Sequence, residues 1–97
     1  MEFKNAELET TFSVPERPTV RQWLAYDSAV DMRIGLTTYE RMWAGLQALV
    51  KPDDWSSPVD LHIDMETADD ERAARVIKWA SLTLFSFLHG LRNVEKN

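Results

Sequence analysis

The segment from residue 68 to residue 91 constrains the fold most, because it has more apolar residues than one helical stripe can hold. Their spacing of three and four residues predicts the last and longest helix of the chain. Acidic residues at 69–71 favour a helix N-terminus, whereas His89 and Gly90 favour a C-terminus. One stripe comprises Ile77, Ala80, Leu84, Phe87, Leu88 and Leu91, and Val76, Trp79, Leu82 and Phe85 widen it. A helix apolar over most of its circumference is either central to its own fold or shared with a neighbour.

A chain of 97 residues is expected to form one domain, and three helices at most leave such a helix incompletely covered. We therefore expect part of the surface between Trp79 and Leu88 to lie in an interface with another protein. Trp55 stands in a polar loop and is either an exposed binding anchor or a lid folded back on the core. The predicted protein-interface residues are Trp55, Trp79, Leu82, Phe85 and Leu88.

Two other segments alternate between apolar and polar residues, which is typical of half-buried strands. Residues 7–14 predict one strand near the N-terminus, and Phe3 gives a weak signal for an earlier strand with a turn near Asn5. Residues 59–65 are either a partner strand or an extended connector, because the segment is short and bounded by helices. The residues that share a face in the first strand are Leu8, Thr10, Phe12 and Val14.

Two further helices are predicted from capping boxes, in which a threonine hydroxyl and a later side chain satisfy first-turn amides reciprocally. Thr19 with Gln22 begins a helix that ends near Asp31, and Thr37 with Glu40 begins one that stops before Pro52. Residues 32–36 form the break between them.

The expected fold class is α+β and mainly α, with a short N-terminal strand or hairpin followed by about three helices. One domain spans residues 1–97, with a β-forming segment at 1–15 and a helical body at 19–91. The predicted core comprises Phe12, Val20, Trp23, Leu24, Trp43, Leu46, Ile77, Leu84 and Leu88.

The residue types that carry chemistry do not form a recognisable catalytic constellation. The absence of cysteine excludes disulfides, thiolate nucleophiles and cysteine-based zinc sites. Asp60, His62 and Asp64 alternate, but a metal site needs a fourth ligand, so we interpret them as the solvated face of an edge strand. The acids at 53–54 and 69–71 stand where loops and helix N-termini keep carboxylates solvated. We expect no enzyme activity, no metal ion and no cofactor.

Charge and hydropathy limit the classes of partner that this chain can bind. A net charge of −5 argues against nucleic acid, which requires a basic surface. The longest apolar-rich stretch, Trp79–Leu88, falls well short of the roughly 20 residues of a membrane span. The N-terminus has no signal-peptide pattern, so we expect a protein of the cytoplasm with no membrane partner.

Two stretches carry a resemblance to a known family. Val14-Pro15-Glu16-Arg17-Pro18-Thr19-Val20-Arg21-Gln22 leads into a helix, and Leu88-His89-Gly90-Leu91-Arg92-Asn93-Val94-Glu95-Lys96-Asn97 follows a later helical segment. Together with the β-forming N-terminus, they resemble the tail assembly chaperones of long-tailed bacteriophages. The resemblance covers the whole chain in organisation and these two stretches in residues.

The resemblance implies a non-enzymatic chaperone in the host cytoplasm, of which several copies coat the tape measure protein while tail tube subunits assemble around it. In that family a −1 ribosomal frameshift near the end of the short form produces a longer protein. Glu95-Lys96-Asn97 can be encoded GAA-AAA-AAC, which contains the slippery heptamer A-AAA-AAC. The implied partners are therefore the tape measure protein, the tail tube protein, further copies of this chain and a longer frameshifted form. The resemblance transfers no residue-level site.

Two other functions fit the same residues. A structural virion subunit, such as a head decoration or neck protein, would share the small size and the interface-rich helix but would remain in purified particles. A small helical adaptor would also bind other proteins but would have no extended form.

Overall fold

The computed structural model describes residues 1–31 and 37–96, with side chains described as far as Asn93. The predicted break at residues 32–36 lies outside the described residues. The predicted fold class, α+β and mainly α, is confirmed. The elements in chain order are β1 (Glu2–Asn5), β2 (Thr10–Ser13), α1 (Val20–Asp31), α2 (Thr38–Leu49), a 3-10 turn (Pro52–Asp54), β3 (Trp55–Ser56) and α3 (Glu71–Lys96).

The three strands form one antiparallel sheet in the order β1-β2-β3. A four-residue turn joins β1 to β2, and the Asn5 side chain accepts a hydrogen bond from the Leu8 amide at 3.1 Å. Glu9 has a positive φ of 52°, which closes the turn. Strand β2 therefore starts at Thr10, later than the predicted strand of residues 7–14. The weak signal at Phe3 therefore marked a real strand, whereas β3 was not expected.

Phe12 lies at the centre of the core and is fully buried. It faces Phe3 on β1 and Trp55 on β3 across the sheet, with ring centroids 5.2 and 6.0 Å away. On the helical side it meets Trp79 of α3 at 5.5 Å. Aromatic rings at such separations add stabilisation beyond the burial of apolar area. One side chain thus joins all three strands to the longest helix.

Helix α1 is rotated relative to the prediction. Its capping box is present, since the Gln22 amide donates to Thr19 Oγ1 at 3.2 Å and the Thr19 amide donates to Gln22 Oε1 at 2.8 Å. However, Val20 and Leu24 are 76% and 64% exposed, so their assignment to the core was wrong. The face that turns inward instead comprises Trp23, Tyr26 and Val30.

The close approach of α1 to α2 explains this rotation. Gly45 on α2 is buried, and a Cβ atom added there would come within 2.7 Å of Tyr26 and 2.8 Å of Val30. Because glycine has no side chain, the Tyr26 ring occupies the space directly above the α2 backbone. At about 100° per residue, Leu24 lies far around the helix from Tyr26 and Val30 and faces solvent.

Helix α3 begins later and ends later than its sequence pattern predicts. It starts at Glu71, where the Asp70 carboxylate caps the first turn by accepting the Arg72 amide at 2.9 Å. It continues to Lys96, so Gly90 lies inside the helix and is not its C-cap. No described helix is long and apolar enough to cross a lipid bilayer.

Residues 59–65 form turns and irregular backbone, so the connector alternative describes them better than the strand alternative. Their alternation still identified the inward side, because Val59 and Leu61 are buried while Asp60, His62 and Asp64 are exposed. The Leu61 carbonyl accepts a hydrogen bond from Gln47 Nε2 at 2.9 Å, which fastens the connector to α2.

Arg92 joins α3 to α1, two elements far apart in the sequence. Its guanidinium group donates a hydrogen bond to Asp27 Oδ1 and lies over the Trp23 ring at 4.5 Å from the centroid. Asp27 and Arg92 are each about half exposed, so their attraction is partly screened by water. The ion pair therefore contributes little to stability.

Candidate protein-binding surfaces

The predicted interface residues of α3 divide between the core and the surface. Leu88 is 2% exposed, so it belongs to the core in the folded chain and offers no surface to a partner. Trp79 is partly buried and packs against Phe12. By contrast, Leu82 and Phe85 are 43% and 45% exposed. The predicted surface is therefore reduced to these two side chains, which we name the α3 patch.

Trp55 packs against the core. Its ring lies edge-on to Trp43 at 5.5 Å, and its Nε1 atom donates to the Val59 carbonyl at 2.8 Å. The apolar ring and its polar N–H are thus both engaged within the chain. These contacts favour the lid alternative for Trp55 over the exposed anchor.

An apolar groove lies beside the α3 patch. It has a volume of about 310 Å³ and extends from the C-terminal end of α1 across α2 to the middle of α3. The Arg41 side chain lines it and donates from Nε to the Val30 carbonyl at 3.1 Å. The groove is lined by Val30, Thr38, Arg41, Met42, Leu82 and Phe85. The His89 ring stacks nearly parallel to the Phe85 ring, with the centroids 6.0 Å apart.

A second depression, which we name the Met65 cleft, lies between the connector and helices α2 and α3. It consists of two neighbouring cavities of about 280 and 220 Å³. Glu40, Ile63 and Met65 line both cavities. The larger cavity continues to Ile77 on α3, and the smaller one continues to Trp43 on α2.

The charges around the Met65 cleft are mainly negative. Among the described residues that line it, the carboxylates of Glu40, Glu66 and Asp70 outnumber the single ammonium group of Lys78. That ammonium group lies 5.4 Å from the centroid of the Tyr39 ring, a cation–π contact between α3 and α2. The connector that forms one wall belongs to a stretch, residues 52–71, with eight acidic residues and neither lysine nor arginine. The cleft therefore combines apolar walls with a negative rim.

Three buried polar atoms lack a hydrogen-bond partner among the described residues: Tyr26 Oη, Trp43 Nε1 and Ser81 Oγ. Burial raises the pKa of the Tyr26 hydroxyl to about 12, which the nearby Arg92 charge opposes and the Asp27 charge reinforces. The hydroxyl is therefore protonated at neutral pH. The Trp43 indole N–H is an unused donor on a residue that lines the Met65 cleft.

The candidate metal ligands make local backbone contacts. Asp60 Oδ1 accepts the His62 amide at 2.8 Å, and Asp64 Oδ1 accepts the Glu66 amide at 3.0 Å. Such contacts close short turns of the connector. Within residues 1–31 and 37–96, no group of three or more His, Asp or Glu side chains is placed to hold a metal ion.

Sequence reasoning missed most of the Met65 cleft. Met65 stands at the end of the alternating segment 59–65, on the same side of the pattern as Val59 and Leu61, yet it is 38% exposed. The signal that could have indicated a surface was the acidic stretch around it, since a large apolar residue among carboxylates has few apolar neighbours in the sequence that can cover it.

Comparison with known proteins gives no relative for this chain: no family model, curated protein or solved structure matches it significantly.

Proposed function

We propose that this chain is a non-enzymatic protein that associates with copies of itself and binds other proteins, as the short form of a phage tail assembly chaperone. The observation that carries the binding part is the α3 patch, a leucine and a phenylalanine left half-exposed in the middle of a 26-residue helix. The chaperone part rests on the resemblance of the two stretches described above.

The setting of the α3 patch supports self-association. Its two side chains adjoin a groove of about 310 Å³ whose walls include Val30 and Met42. A second molecule that inserts an apolar side chain into this groove would remove both exposed surfaces from water. Full burial of a leucine or phenylalanine side chain is worth about 1.5–3 kcal/mol. Leu82 and Phe85 are already about half buried, so each would gain roughly half of this value, and a symmetric contact would gain it in both copies.

In the proposed role, several copies bind the tape measure protein in the host cytoplasm while tail tube subunits assemble around it. The copies include a longer form that arises by frameshifting at the Glu95-Lys96-Asn97 codons. The net charge of −5 keeps such an assembly soluble and favours clients with a basic surface.

Replacement of Phe85 by glutamate tests the α3 patch. We expect Phe85→Glu to yield a folded species of lower mass in sedimentation velocity, because a carboxylate in an apolar contact must be desolvated. Leu24→Glu is the matched control, since Leu24 is an exposed apolar residue of α1 and the change adds the same charge. Circular dichroism verifies that both variants fold. If Phe85→Glu keeps the mass of the unaltered chain, the α3 patch does not mediate self-association.

Mass spectrometry of the products of the unaltered gene with its downstream sequence tests the chaperone part. The products are captured through an N-terminal tag. We expect a minor longer product whose peptides continue in the −1 frame after Lys96 or Asn97. The matched control recodes the same residues without the heptamer, which should abolish the longer product. A single product ending at Asn97 from the unaltered gene would favour a virion subunit or an adaptor.

A further inference from the structure

We propose that the Met65 cleft binds a segment of another protein in which apolar side chains are flanked by lysine or arginine. This inference extends the proposed function, on which it rests, by giving the client a binding site separate from the α3 patch.

The interior of the cleft favours apolar side chains. Ile63 and Met65 form its centre, and Ala73, Ala74 and Ile77 of α3 continue the larger cavity. A cavity of about 280 Å³ is large enough for one or two apolar side chains of a partner but lies just below the range of about 300–1,000 Å³ for small-molecule sites. Methionine at the centre adapts its flexible side chain to different apolar surfaces.

The rim favours basic residues on the partner. Within the described part of the chain, the residues that line the cleft include three carboxylates, those of Glu40, Glu66 and Asp70, and one ammonium group, that of Lys78. The Lys78 group already lies over the Tyr39 ring. Charge complementarity of this kind accelerates encounter and discriminates between partners. It also disfavours a second copy of this chain as the occupant, since each copy has a net charge of −5.

A second observation concerns Trp43, a residue that lines the cleft and has an unpaired indole N–H. Trp43 is 1% exposed and lines the smaller cavity, and its Nε1 atom has no hydrogen-bond partner among the described residues. A buried donor without an acceptor costs free energy in the unbound chain. A carbonyl oxygen of a bound segment that reached it would remove that cost.

The test is a titration of the full chain with a synthetic helical peptide that has two leucines one turn apart between lysines. Binding is followed by the NMR signal of the Trp43 indole N–H and by fluorescence anisotropy of the labelled peptide. We expect the Trp43 signal to shift on binding and the affinity to fall as salt is added, because ionic screening weakens the rim contacts. A peptide with glutamates in place of lysines, and one with serines in place of leucines, should each bind at least about tenfold more weakly.

Variants of the chain locate the site. Glu66→Lys should weaken binding of the lysine peptide about three- to tenfold, since it removes an attraction and adds a repulsion. Met65→Ser should weaken binding by a similar factor through lost apolar contact. Glu16→Lys is the matched control, because Glu16 is exposed, lines neither cavity and changes the net charge equally. We expect it to leave the affinity within about twofold.

Two results overturn the inference. One is equal weakening by Glu66→Lys and Glu16→Lys, which would show attraction by net charge alone. The other is the absence of any shift of the Trp43 signal at millimolar peptide. Sedimentation of the same samples separates the proposals, because self-association through the α3 patch does not require the Met65 cleft.

Discussion

Replacement of Phe12 by alanine should lower the free energy of unfolding by about 3–5 kcal/mol, the cost of removing a fully buried phenylalanine. Phe12 contacts rings on both neighbouring strands and on α3, so its loss leaves a cavity with walls from several elements. Such walls cannot close without moving a strand or a helix. Since the total free energy of unfolding of such a domain is about 5–15 kcal/mol, we expect the variant to be close to the limit at which the chain still folds. Urea denaturation followed by circular dichroism measures the change.

Phe85→Ala is the matched control, because it removes the same ring from a half-exposed position. Phe85→Ala should lower the free energy of unfolding of the monomer by about 1 kcal/mol or less. Phe12→Leu keeps most of the apolar volume and gives a measurable intermediate if the alanine variant does not fold. Equal losses for Phe12→Ala and Phe85→Ala would contradict the position of Phe12 at the centre of the core.

Two glycine-to-alanine changes on helices should change the free energy of unfolding in opposite directions. Gly45→Ala should lower the free energy of unfolding by about 1–3 kcal/mol, because the new methyl group would lie within 3 Å of the Tyr26 and Val30 side chains. Gly90→Ala should raise it by about 0.5–1 kcal/mol, because Gly90 lies in open space inside α3 and alanine has the better helix propensity.

Each variant is the control for the other, since both replace a helical glycine with the same residue. Thermal and urea denaturation of the two variants beside the unaltered chain provide the comparison. If both changes stabilise the protein, α1 and α2 do not pack closely at Gly45. If both destabilise it, Gly90 lies outside a regular helix.

The sequence predicted those features of the fold that depend on neighbouring residues. The Thr19 and Thr37 caps formed as expected, since a hydroxyl three residues from an amide needs no distant partner. The orientation of α1 could not be predicted in this way. It depends on Gly45, which admits the Tyr26 ring from a different helix. The two-residue strand at Trp55 was missed for the same reason, since only its pairing with Phe12 defines it.

The candidate surfaces were predictable only in part. The excess of apolar residues on α3 correctly indicated that some would remain exposed, and Leu82 and Phe85 do. Periodicity alone could not separate them from Leu88, because the deciding factor is which side of α3 the sheet and α2 cover. The Met65 cleft requires the connector to lie against both α2 and α3, and no local pattern encodes that arrangement.

The aromatic contacts of the sheet also bear on how the chain reaches its native state during synthesis. Phe3 in the first strand packs against Phe87 at 5.4 Å, and Phe12 packs against Trp79. These pairs close very long loops, so little of the core can form until the ribosome has released α3 as far as Phe87. Contacts so distant in sequence slow folding, because the chain must lose loop entropy before it gains them. The N-terminal hairpin therefore emerges with the apolar side that packs against α3 uncovered, and we expect the nascent chain to be most prone to aggregation just before its last helix arrives.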